Sequence, residues 1–249
     1  MITPQQKEKI LKIREQCTKC GQEHKGFLPV PGKPEAWYKC ECTEKMGRIA
    51  KYYLAGIPEK YIDLELTDFL YEVPVRVTNY LNQMYKWLKR GVGLYLYGLN
   101  GSGKTFLMSQ IAKRAIDVGY SVKFFKLNMF IDQTLKSTRD EQAAEFLQEV
   151  KDADLICVDE VEKIHVKYSM TTSVNQLAPV IYDDLFRSKS HDGQTTCVTS
   201  NCDLASLEKL YGPHLVSMFK EIMVAVEMNN SDIREAINEQ NQRELDGEA

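Results

Sequence analysis

The stretch Gly98-Leu99-Asn100-Gly101-Ser102-Gly103-Lys104-Thr105 fixes the fold class of this chain. Its three glycines leave little side-chain bulk, so consecutive backbone N–H groups can turn inward toward phosphate oxygens. The apolar run Gly93-Leu94-Tyr95-Leu96-Tyr97 leads in as a strand, and a helical pattern at about 104–118 leads out. A helix starting near Lys104 offers its positive end to the same anion. Lys104 can reach the β- and γ-phosphates of a nucleotide, and Thr105 can hold Mg²⁺ through its hydroxyl. Spacing and context are those of a P-loop, with Gly98, Asn100, Gly101, Ser102, Gly103, Lys104, Thr105 and Phe106 as the expected nucleotide-binding set.

Two further elements support that reading. Leu155-Ile156-Cys157-Val158-Asp159-Glu160 is an apolar strand ending in two carboxylates, 55 residues beyond Lys104. Asp159 is expected to assist in binding Mg²⁺, and Glu160 to polarise the attacking water. Asn201 ends a third apolar run, Thr195-Thr196-Cys197-Val198-Thr199. Its amide can position the water between Asp159 and the γ-phosphate, provided that the sheet order sets this strand beside the P-loop strand.

Outward from these motifs, strands and helices alternate, the mark of an α/β domain. Helices are expected at 74–90, 128–137, 140–151, 173–188, 203–210 and 212–220. Strands are expected at 121–126, 155–158, 195–199 and 223–226, besides the one that precedes the P-loop. Upstream, a charged helix over 4–16 and another over 43–55, closed by Gly56-Ile57-Pro58, bracket an irregular Gly/Pro-rich segment. The expected organisation is an N-terminal module (1–56), a linker (57–68) and an α/β ATPase domain (69–249).

The N-terminal module holds Cys17-x-x-Cys20 and Cys40-x-Cys42, two chelating pairs separated by 19 residues. Four thiolates suit tetrahedral Zn²⁺, and a closed set of four ligands marks a structural site. His24 is an alternative to one of the cysteines. The segment has too little apolar content to fold alone, so metal binding and folding should be coupled. The net charge of −3 and pI near 5.9 argue against coating of duplex DNA by bulk charge. No run of 18 apolar residues or signal-peptide core is present, which points to a cytoplasmic protein.

With these motifs in place, the chain resembles the DnaC/DnaI-type replicative helicase loaders, which are AAA+ ATPases. The likeness runs through the two cysteine pairs, Gly56-Ile57-Pro58-Glu59-Lys60-Tyr61, the P-loop, Leu155–Glu160 and Thr199-Ser200-Asn201. It implies an AAA+ core with a five-stranded parallel sheet, an N-terminal region gripping a hexameric DnaB-type helicase, and an ATPase region touching single-stranded DNA. It further implies loading of that helicase during replication initiation, with self-assembly on it. Lys104 and Thr105 match Walker A, Asp159 and Glu160 Walker B, and Asn201 sensor 1. Arg234, in Ser231-Asp232-Ile233-Arg234, matches sensor 2. The related IstB-type helpers of DNA transposition give the alternative reading.

One departure concerns turnover. Where the family carries an arginine pair, this chain has His214-Leu215-Val216-Ser217-Met218-Phe219-Lys220. Lys220 or Arg187 is left as a substitute, and lysine lacks the planar fork of arginine. Because an arginine finger is worth roughly 10³–10⁵ in rate, hydrolysis is expected to be slow and switch-like. Lys163, His165 and Lys167, with Tyr168 beside them, form a small basic cluster that could meet DNA.

Overall fold

The computed structural model describes residues 2–20, 25–163, 185–186, 193–230 and 232–245. The chain divides into two compact units, Met1–Asp63 and Leu64–Ala249.

In the first unit, α1 (Pro4–Glu15) opens on a reciprocal cap in which Thr3 and Gln6 each accept the other's backbone N–H. The segment read as irregular contains an antiparallel hairpin, β1 (Phe27–Val30) and β2 (Lys33–Lys39). A lone two-stranded hairpin is marginal in water, and here cysteine pairs flank it on both sides. Helix α2 (Glu41–Ala55) follows and stops at Gly56, whose left-handed φ of 84° forms the C-cap. It buries Cys42, Ile49, Tyr52 and Ala55 along one stripe and packs against α1.

In the second unit a 3-10 turn at Leu66–Asp68 leads to α3 (Val75–Asn82) and α4 (Met84–Lys89), read from the sequence as one helix over 74–90. Gln83, at φ −114° and ψ 26°, interrupts the run. The buried stripe Val77, Tyr80, Met84, Leu88 nevertheless continues across the break. Then come β3 (Gly93–Gly98), α5 (Lys104–Asp117), β4 (Val122–Lys126), α6 (Leu127–Lys136), α7 (Glu141–Asp152) and β5 (Leu155–Asp159). Among the described residues, a 3-10 turn at Val161–Lys163, β6 (Thr195–Ser200), α8 (Leu204–Tyr211), α9 (Pro213–Ile222), β7 (Met223–Met228) and α10 (Ile233–Leu245) follow. The helix expected at 173–188 lies outside the described residues apart from Leu185 and Phe186, both buried.

The five strands are parallel, in the order β4-β5-β6-β3-β7. β5 and β6 are buried throughout, as expected of strands covered on both faces. The core joins Tyr95, Ile156, Val158 and Val198 of the sheet to Leu127 and Ile131 of α6 and to Val216 and Phe219 of α9. The chain leaves β3 for β4 by crossing over β6 and β5, while β7 pairs on the other side of β3. That reversal opens a crevice at the carboxyl ends of the strands, the usual place for a ligand in such sheets. Among the described residues no helix is long and apolar enough to cross a membrane.

Candidate nucleotide and metal sites

The P-loop stands at the carboxyl end of β3. Gly101 and Gly103 take left-handed φ values of 78° and 88°. Both are also hemmed in: a Cβ on Gly101 would lie 1.7 Å from Asp232 Oδ1, and one on Gly103 would lie 2.4 Å from Phe69 Cε2. Only glycine meets both demands. Ser102 is fully buried, while Leu99 and Asn100 are exposed at the tip. Phe106, the first apolar residue of α5, stacks on Phe69 with ring centroids 5.3 Å apart.

Lys104 is buried, at 8% exposure. Its Nζ donates to the carbonyl oxygens of Gly98 (2.8 Å) and Leu99 (2.6 Å), so the ammonium lies inside the loop it is expected to serve. Burial lowers its pKa; Glu162 and Asp159 oppose that shift, and Arg234 and Lys163 add to it. Arg234, at the start of α10, is exposed, yet its charge is felt at Lys104. Its backbone N–H donates to Asp232 Oδ1 (2.9 Å), and Ile233 N–H donates to the Gly101 carbonyl (3.0 Å), which docks α10 on the loop.

The strand order places β6 between β3 and β5, the condition set for Asn201. Asp159, buried at the end of β5, accepts at Oδ1 from Thr105 (3.0 Å) and from Thr199 (2.5 Å). Burial raises its pKa against the pull of these two hydroxyls. Thr199 Oγ1 also accepts the N–H of Glu160 at 3.0 Å. Glu160 sits at a left-handed φ of 58°, uncommon for a residue with a Cβ. Its carboxylate pairs with Lys126 Nζ (2.9 Å) and with Lys163. Burial would raise the Glu160 pKa, but these two lysines outweigh it and hold the group below the ordinary range.

Asn201 directs its amide to the turn after β5. Its Nδ2 donates to Glu162 Oε1 at 2.5 Å, and Tyr211 Oη donates to the carbonyls of Val161 and Glu162, fixing that turn. Glu162, Lys126 and Thr199 are thus members of the cluster that motif reading passed over. Lys126 had a signal only in three dimensions, as the register partner of Asp159. Lys220 lies exposed on α9. Arg187, His165, Lys167, Tyr168, His24 and Ser231 lie outside the described residues.

In the first unit the four Sγ atoms of Cys17, Cys20, Cys40 and Cys42 lie within 4.8 Å of one another. Cys17–Cys40 and Cys20–Cys42 are each 3.6 Å apart, with all four free of disulfides. A tetrahedron with Zn–S bonds of about 2.3 Å has edges of about 3.8 Å, so the donor set fits zinc. Backbone N–H groups of Cys20 and Lys19 draw the Cys17 thiol down to about 6, while burial pushes Cys42 up to about 12.

A family model described as the bacterial DnaA ATPase domain matches residues 71–210, more than half of the chain. The chain belongs to this family of nucleotide-binding ATPases. A curated relative, the replicative helicase loader DnaI of Bacillus subtilis (strain 168), is 33% identical over 85 residues, 34% of this chain and 27% of that protein. An IS21-like putative ATP-binding protein of Bacteroides fragilis (strain YCH46) is 28% identical over 127 residues, 50% of this chain and 62% of that one. The chain thus spans less than two thirds of either relative. The crystal structure of the DnaC helicase loader superposes with a TM-score of 0.57 at 16% identity, over 69% of this chain and 100% of that one. The resemblance to DnaC/DnaI-type AAA+ proteins read from the motifs is borne out, and the fold is the one expected.

Proposed function

We propose that this chain is an ATP-dependent loader that sets a hexameric replicative DNA helicase on single-stranded DNA during initiation of DNA replication. What carries the reading is the match to a Bacillus helicase loader in a chain whose cysteine-stapled module precedes its ATPase domain. The ATPase unit supplies the switch and the N-terminal module the grip on the helicase.

The site residues suit that assignment. The loop Gly98–Thr105 takes the phosphates once Lys104 exchanges the Gly98 and Leu99 carbonyls for phosphate oxygens. Thr105 and Asp159, already joined through a hydroxyl–carboxylate hydrogen bond, would hold Mg²⁺, which shields phosphate charge when bound. Glu160 accepts the proton of the attacking water after release from Lys126 and Lys163. Asn201 and Arg234 report on the γ-phosphate, and Glu162 is the group from which Asn201 must turn. Zn²⁺ on the four cysteines would staple the hairpin between α1 and α2. With no arginine in α9 to complete the neighbour's site, turnover is slow, and the bound nucleotide governs assembly more than it drives motion.

Mixing the protein with a hexameric replicative helicase and weighing the products, with and without ATP, tests the reading. A complex whose mass or lifetime depends on ATP is expected; no complex under either condition overturns it. The IS21-like relative keeps a second reading, a transposition helper, which requires ATP-dependent filaments on duplex DNA.

A further inference from the structure

We infer that one face of the β1–β2 hairpin is a stacking platform for single-stranded DNA, with Phe27 and Trp37 receiving bases and Lys25, Lys33 and Lys39 meeting phosphates. The inference rests on the reading of single-stranded DNA as a partner. It adds a contact on the N-terminal unit to the one expected near Asp159-Glu160.

Register and alternation assemble the platform. Phe27 pairs with Lys39 and Pro29 with Trp37, so Phe27, Pro29, Trp37 and Lys39 share one face; beyond Pro29 the register shifts, and Lys33 pairs with Val30 at the end of the hairpin. Phe27 is 43% exposed and Trp37 49%, large values for side chains of this size. Diagonal neighbours across an antiparallel pair stand about 7–8 Å apart, a spacing at which two successive bases can each find a ring. Alternation along β2 sets Glu35 on the face of Trp37 and Lys39, the one acidic residue among the three lysines of the segment 25–39. The opposite face carries Leu28, Val30 and Ala36, all half-buried, and exposed Tyr38.

Charge favours a polyanion over a protein. Residues 1–63 hold twelve Lys and Arg against eight Asp and Glu, a net +4, so the remaining residues carry −7 of the chain's −3 total. Four thiolates around one Zn²⁺ would subtract two charges and leave the unit positive. The acidic ATPase unit repels a phosphate backbone on average, and the N-terminal unit attracts it. Protein interfaces enrich aromatic residues but deplete lysine. Exposed aromatics interleaved with lysines are instead the pattern of sequence-tolerant single-strand binding, because every base has a π-face.

The test uses the full chain, zinc present, and a labelled 20-nucleotide oligo(dT) followed by anisotropy at low salt. The Phe27→Ala/Trp37→Ala pair should weaken binding by about 10-fold or more, and Trp37→Tyr should retain most of it. Lys33→Glu/Lys39→Glu should also weaken binding and flatten its salt dependence. The chain has two tryptophans, so Trp87→Phe leaves Trp37 as sole reporter, and stacking should quench its emission as oligo(dT) saturates. This arm keeps the hairpin intact and decides the matter if the alanine pair loses its zinc. Failure of the wild-type chain to bind oligo(dT) overturns both the partner reading and the platform. Normal binding with unquenched Trp37, or an unaffected alanine pair, overturns the platform alone. So does loss of helicase binding by the pair with DNA affinity intact, which assigns the face to a protein.

Discussion

Thr199→Val is the substitution that probes the site most sharply, because it removes one oxygen and little volume. Thr199 Oγ1 donates to Asp159 and accepts from the Glu160 N–H, so it ties β6 to the last residue of β5 and to the left-handed residue after it. Its side chain is buried, and water has no ready way to replace the hydroxyl. A hydrogen bond to a charged group contributes about 1.5–3 kcal/mol, and leaving a buried N–H unpaired costs about 1–3 kcal/mol. Asp159 keeps its bond from Thr105, which places the sum near 3–5 kcal/mol. In a unit of this size each kcal/mol moves Tm by about 2–4 °C, so the variant should melt roughly 6–20 °C below wild type. Losing the donor also removes one of the groups that lower the Asp159 pKa, so that carboxyl rises further. Hydrolysis at saturating ATP should fall about 10²-fold, since Glu160, the proposed base, and its backbone are no longer fixed. Thermal unfolding and phosphate release measured on the same preparation check both numbers. A variant that melts within about 2 °C of wild type and turns over normally refutes the claim that Thr199 holds Asp159 and Glu160 in place.

Three other outcomes follow from the same geometry. Burial raises the Asp159 pKa, so the native state disfavours the ionised form, a cost present at neutral pH that fades as pH falls through the raised pKa. Asp159→Asn should therefore raise the apo Tm at pH 7 by more than at pH 4, while abolishing Mg²⁺-dependent hydrolysis; an unchanged or lower Tm at pH 7 contradicts this. Lys126 and Lys163 hold the Glu160 pKa down, so Lys126→Met/Lys163→Met should move the acid limb of the rate–pH profile to higher pH. A stationary limb removes the two lysines from control of Glu160. Cys40→Ser should eliminate stoichiometric zinc by metal analysis and leave ATP binding intact, because the nucleotide site lies wholly within the second unit; retained zinc refutes the four-cysteine set.

Much of this molecule is legible from local signals. The P-loop announces itself because its chemistry demands glycine at fixed intervals, and the structure adds that Asp232 and Phe69 close off the space where side chains would go. The parallel strands read as short apolar runs because both faces are covered. What sequence conceals is pairing across strands. Thr199 looks like one more β-branched strand residue until β6 lies beside β5, and Lys126 like a surface lysine until its register meets Asp159. Asn201 was legible as a polar strand end, but not its partner Glu162, since the turn that carries Glu162 is anchored by Tyr211, far along the chain. The hairpin at 27–39 hid behind its prolines and glycine, and the four thiols that flank it come together only in three dimensions.

On the proposed function, nucleotide in the loop Gly98–Thr105 controls delivery of a helicase to DNA. The most direct measurement follows unwinding of a forked substrate by a purified hexameric replicative helicase on DNA coated with single-strand-binding protein, with wild-type or Lys104→Ala chain added. The account predicts that wild type with ATP starts unwinding at once, whereas Lys104→Ala still binds the helicase but fails to start it. Equal stimulation by both proteins, or none by either, would contradict it.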